Sequence, residues 1–308
     1  MDYNTFISTV KLALQEKMGD GYHLAIRPIP KNNGVLLDGL TIQPPMSQIA
    51  PTIYLNPYYE QYQEGMSIDE ILSDIQNLVQ NSTPPSSICP EDIIDFAKMK
   101  SRIMMRLVHA DSNRELLSDI PHIPYLDLAV VFYLFLERNA AGQMTSLIHN
   151  DYLGRWHLTS QGLLRLALAN TPQAYPAEIT SITEVMKKIA RQNLGDRYDE
   201  GHLDRLLAEN EAASPLYVLT NHTGIYGACC MLYQNVLKDF AGYLGKDLVV
   251  IPSSIHEVLL TPDTGEVSYS QLNSLVADIN HYEVPVEDQL SNHIYVYTRS
   301  DGRVRIIT

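Results

Sequence analysis

The chain has 308 residues, 45% of them hydrophobic and 19% charged, which is the composition of a folded protein of about two domains rather than of a disordered one. Its 22 Lys plus Arg stand against 36 Asp plus Glu, and the resulting formal charge of −14 repels phosphate backbones and anionic membrane surfaces, so nucleic-acid binding is disfavoured. No stretch approaches the ~18 consecutive apolar residues of a membrane span, and the start lacks a basic region followed by an apolar one, so no membrane association and a cytoplasmic location are expected.

The first predicted element is a helix over 3–18, with apolar Phe6, Ile7, Val10, Leu12, Leu14 and Met18 and a stop at Gly19. Strands over 22–26 and 35–42 follow, joined by Lys31-Asn32-Asn33-Gly34, because Asn and Gly tolerate the positive φ of a hairpin turn. A third strand covers 51–55, and Asn56-Pro57 opens a helical turn ending at Gly65. Ser67 and Glu70 form a capping box for an amphipathic helix carrying Ile68, Ile71, Leu72, Ile75 and Val79. Residues 81–90, with three prolines, read as a linker.

In the middle, Lys98, Lys100, Arg102 and Arg106 form the densest basic cluster, expected to be a solvated face. Strands are predicted over 126–136 and 144–149, then a helical turn from Asn150 and a helix from Thr159 to Ala169. This repeats the earlier order: strands, an Asn-x-Tyr turn (Asn56-Pro57-Tyr58, then Asn150-Asp151-Tyr152), a hydroxyl cap and an amphipathic helix. After a charged bridge over 195–214, with a helix-like stretch at 204–210, strands fall at 216–220, 247–251 and 256–261 and helices at 234–243 and 268–282. A hairpin of 294–298 and 303–307 closes the chain around Asp301-Gly302. The fold class is therefore α+β, with repeated units of short antiparallel sheet and helices packed on one face: 1–80, a linker at 81–90, 91–194, a bridge at 195–214, and 215–308.

Chemistry-bearing side chains concentrate between Asn221 and Glu257. A catalytic thiol needs a base within hydrogen-bond reach and a third group to orient it, so Cys229 or Cys230 with His256 and Asn221 is the one conceivable catalytic set. Its flanks match no known thiol-enzyme signature, and Gly227-Ala228-Cys229-Cys230-Met231-Leu232 suits small buried hydrophobes better. Three cysteines, two of them adjacent, give neither a disulfide framework nor ligand spacing, and His256-Glu257 lacks a second histidine because position 260 is Leu. No metal and no cofactor are expected. Ser253, Ser254, His256 and Glu257 shape a turn or offer polar groups to a ligand. Lys31, Asn32 and Asn33 could present an ammonium and two amides to an anion, although a hairpin needs the Asn and Gly in any case. Nineteen tyrosines, Tyr54 and Tyr58 among them, suit an interface, where the ring is buried and the hydroxyl finds a partner.

Several blocks together resemble an uncharacterised domain-of-unknown-function family common in gut Clostridia: Lys31-Asn32-Asn33-Gly34, Pro51-Thr52-Ile53-Tyr54-Leu55, Tyr217-Val218-Leu219-Thr220-Asn221, Tyr226-Gly227-Ala228 and Pro252-Ser253-Ser254-Ile255-His256-Glu257-Val258. The resemblance covers almost the full chain and implies a bacterial cytosolic origin, with no activity attached. The function expected is an interaction or ligand-binding protein without catalysis, with a protein or small-molecule partner. The alternative is a hydrolase or transferase-like enzyme using Asn221, Cys229 and His256.

Overall fold

A computed structural model describes residues 1–45, 52–81, 90–139, 142–194, 215–252, 254–266 and 268–307. Among them, thirteen strands form three antiparallel sheets, and the fold is α+β. No helix among the described residues is long and apolar enough to cross a membrane. Most of the expected linker, all of the 195–214 bridge and Ser253 lie outside the described residues.

The first sheet has the order β1 (His23–Pro30), β2 (Leu36–Gln43), β3 (Thr52–Tyr54). Its hairpin turns through Asn33 (φ 57°) and Gly34 (φ 72°), the left-handed pair that the Asn-Gly dipeptide favours. Helices Tyr3–Met18, Leu55–Gln63 and Ile68–Asn81 supply the rest of this unit's core. Phe6, Val10 and Leu14 recur every four residues on the first helix, and all are fully buried against Leu40, Ile42, Ile71 and Ile75. The capping box forms: Glu70 accepts the Ser67 N–H at 2.9 Å and Ser67 Oγ accepts the Glu70 N–H at 3.3 Å.

The second sheet is built around β6 (Leu128–Asn139), with β4 (Ile103–His109) on one edge and β5 (His122–Tyr125) and β7 (Gly142–Leu147) on the other. Successive side chains alternate between faces, yet both faces are apolar: Met105, Leu107 and Phe132 lie in one core, Val108, Ala129 and Val131 in another. The basic cluster is solvated only in part: Lys98 and Lys100 are exposed, whereas Arg102 and Arg106 are half-buried. Arg106 sits inside β4, and the Arg102 guanidinium donates to the carbonyl of Leu136 at 2.5 Å. The expected strand at 126 starts at Leu128 instead, because Leu126 turns left-handed at φ 56°.

The third sheet runs β13 (Arg303–Ile307), β12 (Ile294–Thr298), β10 (Leu248–Ile251), β11 (Val258–Pro262), β9 (Tyr217–Asn221), β8 (Ala177–Ser181). The β8–β9 ladder joins residues on either side of 195–214. One apolar cluster contains Leu107 and Phe132 of the second sheet together with Leu219, Val250, Leu260 and Tyr295 of the third. Between them lies the 3-10 segment Gly227–Leu232, whose Cys229 and Cys230 are 1% and 0% exposed.

Candidate functional site

Ser254 organises the loop between β10 and β11. Its hydroxyl donates to Glu257 Oε1 at 2.8 Å and accepts the His256 N–H at 3.0 Å, so a short polar side chain closes a tight turn on its own backbone. The turn leaves the His256 side chain 30% exposed. Nδ1 of that ring accepts the Tyr226 N–H at 3.3 Å, and Nε2 lies 3.2 Å from Asp288 Oδ1. An acceptor nitrogen cannot also carry the proton, so these partners assign the proton to Nε2, which donates to the Asp288 carboxylate.

Tyr226 holds φ 55°, a left-handed conformation that costs a bulky residue about 1–2 kcal/mol. Its ring lies parallel to that of His256, with centroids 5.9 Å apart and planes at 8°. The residue after it must be glycine: a Cβ on Gly227 would stand 2.2 Å from Thr220 Oγ1 and 2.5 Å from the His256 carbonyl. Thr220 Oγ1 donates to that same carbonyl at 2.8 Å, fastening β9 to the His256 loop.

The Arg106 guanidinium carbon stands 4.7 Å from the Tyr226 ring centroid. Arg106 lies two residues from Met104, which pairs with Tyr133 across the sheet, so all three share one face. Tyr133 meets Tyr226 edge-on at 5.7 Å and packs with Tyr175, whose ring stacks on His222 at 6.1 Å. Burial pushes the Tyr133 phenol up; the neighbouring Cys229 and the tyrosines add to this and Arg106 opposes it. Tyr175 is raised by burial as well. Two polar atoms here are buried without a hydrogen-bond partner among the described residues: Arg106 Nε and the Tyr175 hydroxyl. Buried polar groups are nearly always satisfied, so each of these two atoms marks a place where a partner is expected.

The expected catalytic set does not assemble through hydrogen bonds. Cys229 contacts Cys230 and the Tyr233 hydroxyl, the latter at 3.8 Å, whereas both His256 nitrogens are occupied by Tyr226 and Asp288. The hydrogen bond with Cys230 and complete burial push the Cys229 thiol well up, which keeps it protonated rather than nucleophilic. Asn221 is 3% exposed and spends its amide locally: Oδ1 accepts from Thr223 N at 2.9 Å and Thr223 Oγ1 at 2.7 Å, and Nδ2 donates to Ile225 O at 2.8 Å. It shapes the loop that leads into Tyr226.

The amides of the first hairpin turn are also used within the molecule. Asn32 Nδ2 donates to Glu287 O at 2.8 Å, and Asn33 Nδ2 donates to Val286 O and Gln289 O, both at 2.7 Å. The Lys31 ammonium lies 3.8 Å from the Tyr54 ring centroid. Tyr58 packs on the first core beside Tyr59 and Tyr62, and burial, then Asp74, raises its phenol. Asn32 and Asn33 thus grip the turn that carries Asp288, while Asp288 accepts from His256. The blocks recognisable in the sequence, from Lys31 to Val258, are connected around this one turn.

The sequence reading did not single out Arg106 as a site residue, nor Tyr133, Tyr175, Tyr226 or Asp288. The available signal was one arginine inside the apolar run Ile103-Met104-Met105-Arg106-Leu107-Val108. A strand charge flanked by apolar neighbours either reaches the rim or has a use.

Residues 3–299 match the family of unknown function DUF5688, and the chain belongs to that family. No curated protein and no solved structure matches it.

Proposed function

We propose that the protein is a non-catalytic ligand-binding protein of the bacterial cytoplasm that takes a small molecule bearing a carboxylate or phosphate at Arg106. One observation carries this reading: Arg106 Nε and the Tyr175 hydroxyl are buried with no hydrogen-bond partner among the described residues. An unpaired buried polar group costs roughly 1–3 kcal/mol, which a ligand oxyanion accepting from the Arg106 guanidinium would recover. A guanidinium is suited to the task because its planar fork binds carboxylate or phosphate through two parallel hydrogen bonds. Tyr226 and Tyr133 supply ring surface beside it, and the His256–Asp288 pair holds Tyr226 in place.

The protonated Cys229 thiol and the fully occupied His256 ring favour binding over catalysis. Free Cys229 and Cys230 support a reducing compartment.

The test is titration calorimetry of the full chain with inorganic phosphate, acetate and succinate at constant ionic strength, repeated with R106K, R106M and Y175F. Saturable binding of at least one anion is expected, weakened about tenfold in R106K and lost in R106M. Because R106M also removes the buried, unpartnered Nε–H, its melting temperature should match or exceed that of the parent. A merely structural Arg106 predicts the opposite, a lower melting temperature with no effect on binding. Absence of saturable binding for all three anions discards the reading.

A further inference from the structure

Away from Arg106, a groove of about 490 Å³ opens where the 3-10 segment Gly227–Leu232 and the helix Val236–Leu244 meet the closing hairpin β12–β13. That volume falls within the roughly 300–1,000 Å³ of small-molecule sites. Its walls are apolar and aromatic: Leu237, Tyr233 and Tyr297 are buried side chains that line it, and Tyr125 closes it from the end of β5. Burial raises the Tyr125 hydroxyl to about 12, so it stays a hydrogen-bond donor across the physiological range.

The charge on this lining has a single sign. Lys238 and Arg303 are its charged residues, and no acidic side chain lines it. Both are exposed, and neither makes an ion pair among the described residues. The nearby Asp301 carboxylate is engaged by Arg305 and by the Arg303 N–H. In a chain of net charge −14, two unpaired cations on one concave aromatic surface form a local exception to the overall field.

We infer that this groove binds an organic anion with a flat aromatic body, its ring against Tyr233, Tyr297 and Leu237 and its acid group between Lys238 and Arg303. Neither the residues nor the argument are shared with the Arg106 site.

The probe is 1-naphthoate, titrated calorimetrically into the full chain, with uncharged 1-naphthalenemethanol as its neutral counterpart. Titrated into R106M, where the carboxylate site proposed at Arg106 is removed, naphthoate should still bind saturably and one-to-one, with the neutral compound at least tenfold weaker. The double variant K238E/R303E should lose at least tenfold in naphthoate affinity at an unchanged melting temperature, since both side chains are exposed and unpaired, whereas R106M should bind naphthoate like the parent. Raising salt from 50 to 500 mM should weaken naphthoate but not the alcohol. No saturable binding of naphthoate, equal affinity for the alcohol, or undiminished affinity in K238E/R303E overturns the inference. Loss in R106M with retention in K238E/R303E also overturns it, by assigning the binding to Arg106.

Discussion

At the scale of single residues, the tightest constraint falls on Gly227. A Cβ there would meet Thr220 Oγ1 at 2.2 Å, His256 O at 2.5 Å and Asn221 N at 2.8 Å, and two of these three atoms are backbone that cannot rotate away. The close approach is what lets Thr220 bond the His256 carbonyl and Tyr226 lie flat on the imidazole. G227A should therefore destabilise by about 3 kcal/mol, the upper range for overpacking a filled site, as read from the urea midpoint. It should also weaken anion binding at Arg106, since Tyr226 is displaced with the loop. An alanine variant within about 0.5 kcal/mol of the parent would show that the loop relaxes freely. Position 227 contrasts with Gly242, where a Cβ meets nothing within 4 Å and alanine should be tolerated in its helix.

At the scale of elements, Asp127 ties the turn between β5 and β6 to strand β12. Ser291 Oγ and the Tyr295 hydroxyl donate to its carboxylate at 2.5 and 2.7 Å, and His293 Nδ1 lies 3.0 Å away. Burial pushes this carboxyl up, but the hydrogen bonds from Ser291, Tyr295 and His293 outweigh it and leave the group below its usual range. A carboxyl depressed in the folded state contributes stability that is complete above its unfolded pKa of about 3.9 and fades as pH falls toward the folded value. D127N should thus lose about 1–3 kcal/mol at neutral pH, because its amide keeps one acceptor oxygen where the carboxylate offers two to the three donors. The gap between parent and variant should narrow below about pH 4 in urea midpoints taken from pH 7 to pH 3. A gap that stays constant across that range removes the assigned role of the charge.

Which elements were legible follows from how local their signals are. The first helix, the Asn33-Gly34 turn, the Ser67–Glu70 box and the Thr159 cap are encoded within a few residues, and each forms where the pattern puts it. Strand β4 was missed because the lysines and arginines around 98–106 read as a solvated face, whereas Arg106 reaches a ring on Tyr226, 120 positions along the chain. The same reason hid the candidate site. His256 and Asn221 were visible as polar residues in turns, but Asp288 lies far along the chain from His256, and Arg106 reaches the Tyr226 ring only through the packing of the second sheet on the third.

At the scale of the whole molecule, the arrangement of cores divides the chain unevenly. One cluster draws its buried residues solely from 6–79, while another draws them from between Met99 and Tyr297. The first unit meets the remainder through the Asn32-Asn33 turn, which donates to the carbonyls of Val286, Glu287 and Gln289, and through a reciprocal pair in which Asn113 Oδ1 accepts the Asn33 N–H and Asn33 Oδ1 accepts from Asn113 Nδ2, both at 2.8 Å. At about 1 kcal/mol for each hydrogen bond, this polar clasp supplies several kcal/mol of coupling between the first core and the remainder. We therefore propose that residues 1–80 fold on their own core and that the clasp makes the unit unfold with the rest. In N32A/N33A that coupling should be lost: urea unfolding should change from one transition to two, and hydrogen exchange should accelerate in β1 and β2 while β10 and β12 stay protected. Because the gripped turn also carries Asp288, the same variant should loosen His256 and lower affinity at Arg106 several-fold while leaving naphthoate binding intact. A single transition with uniform exchange would mean that apolar contacts, not the two amides, join the unit to the remainder.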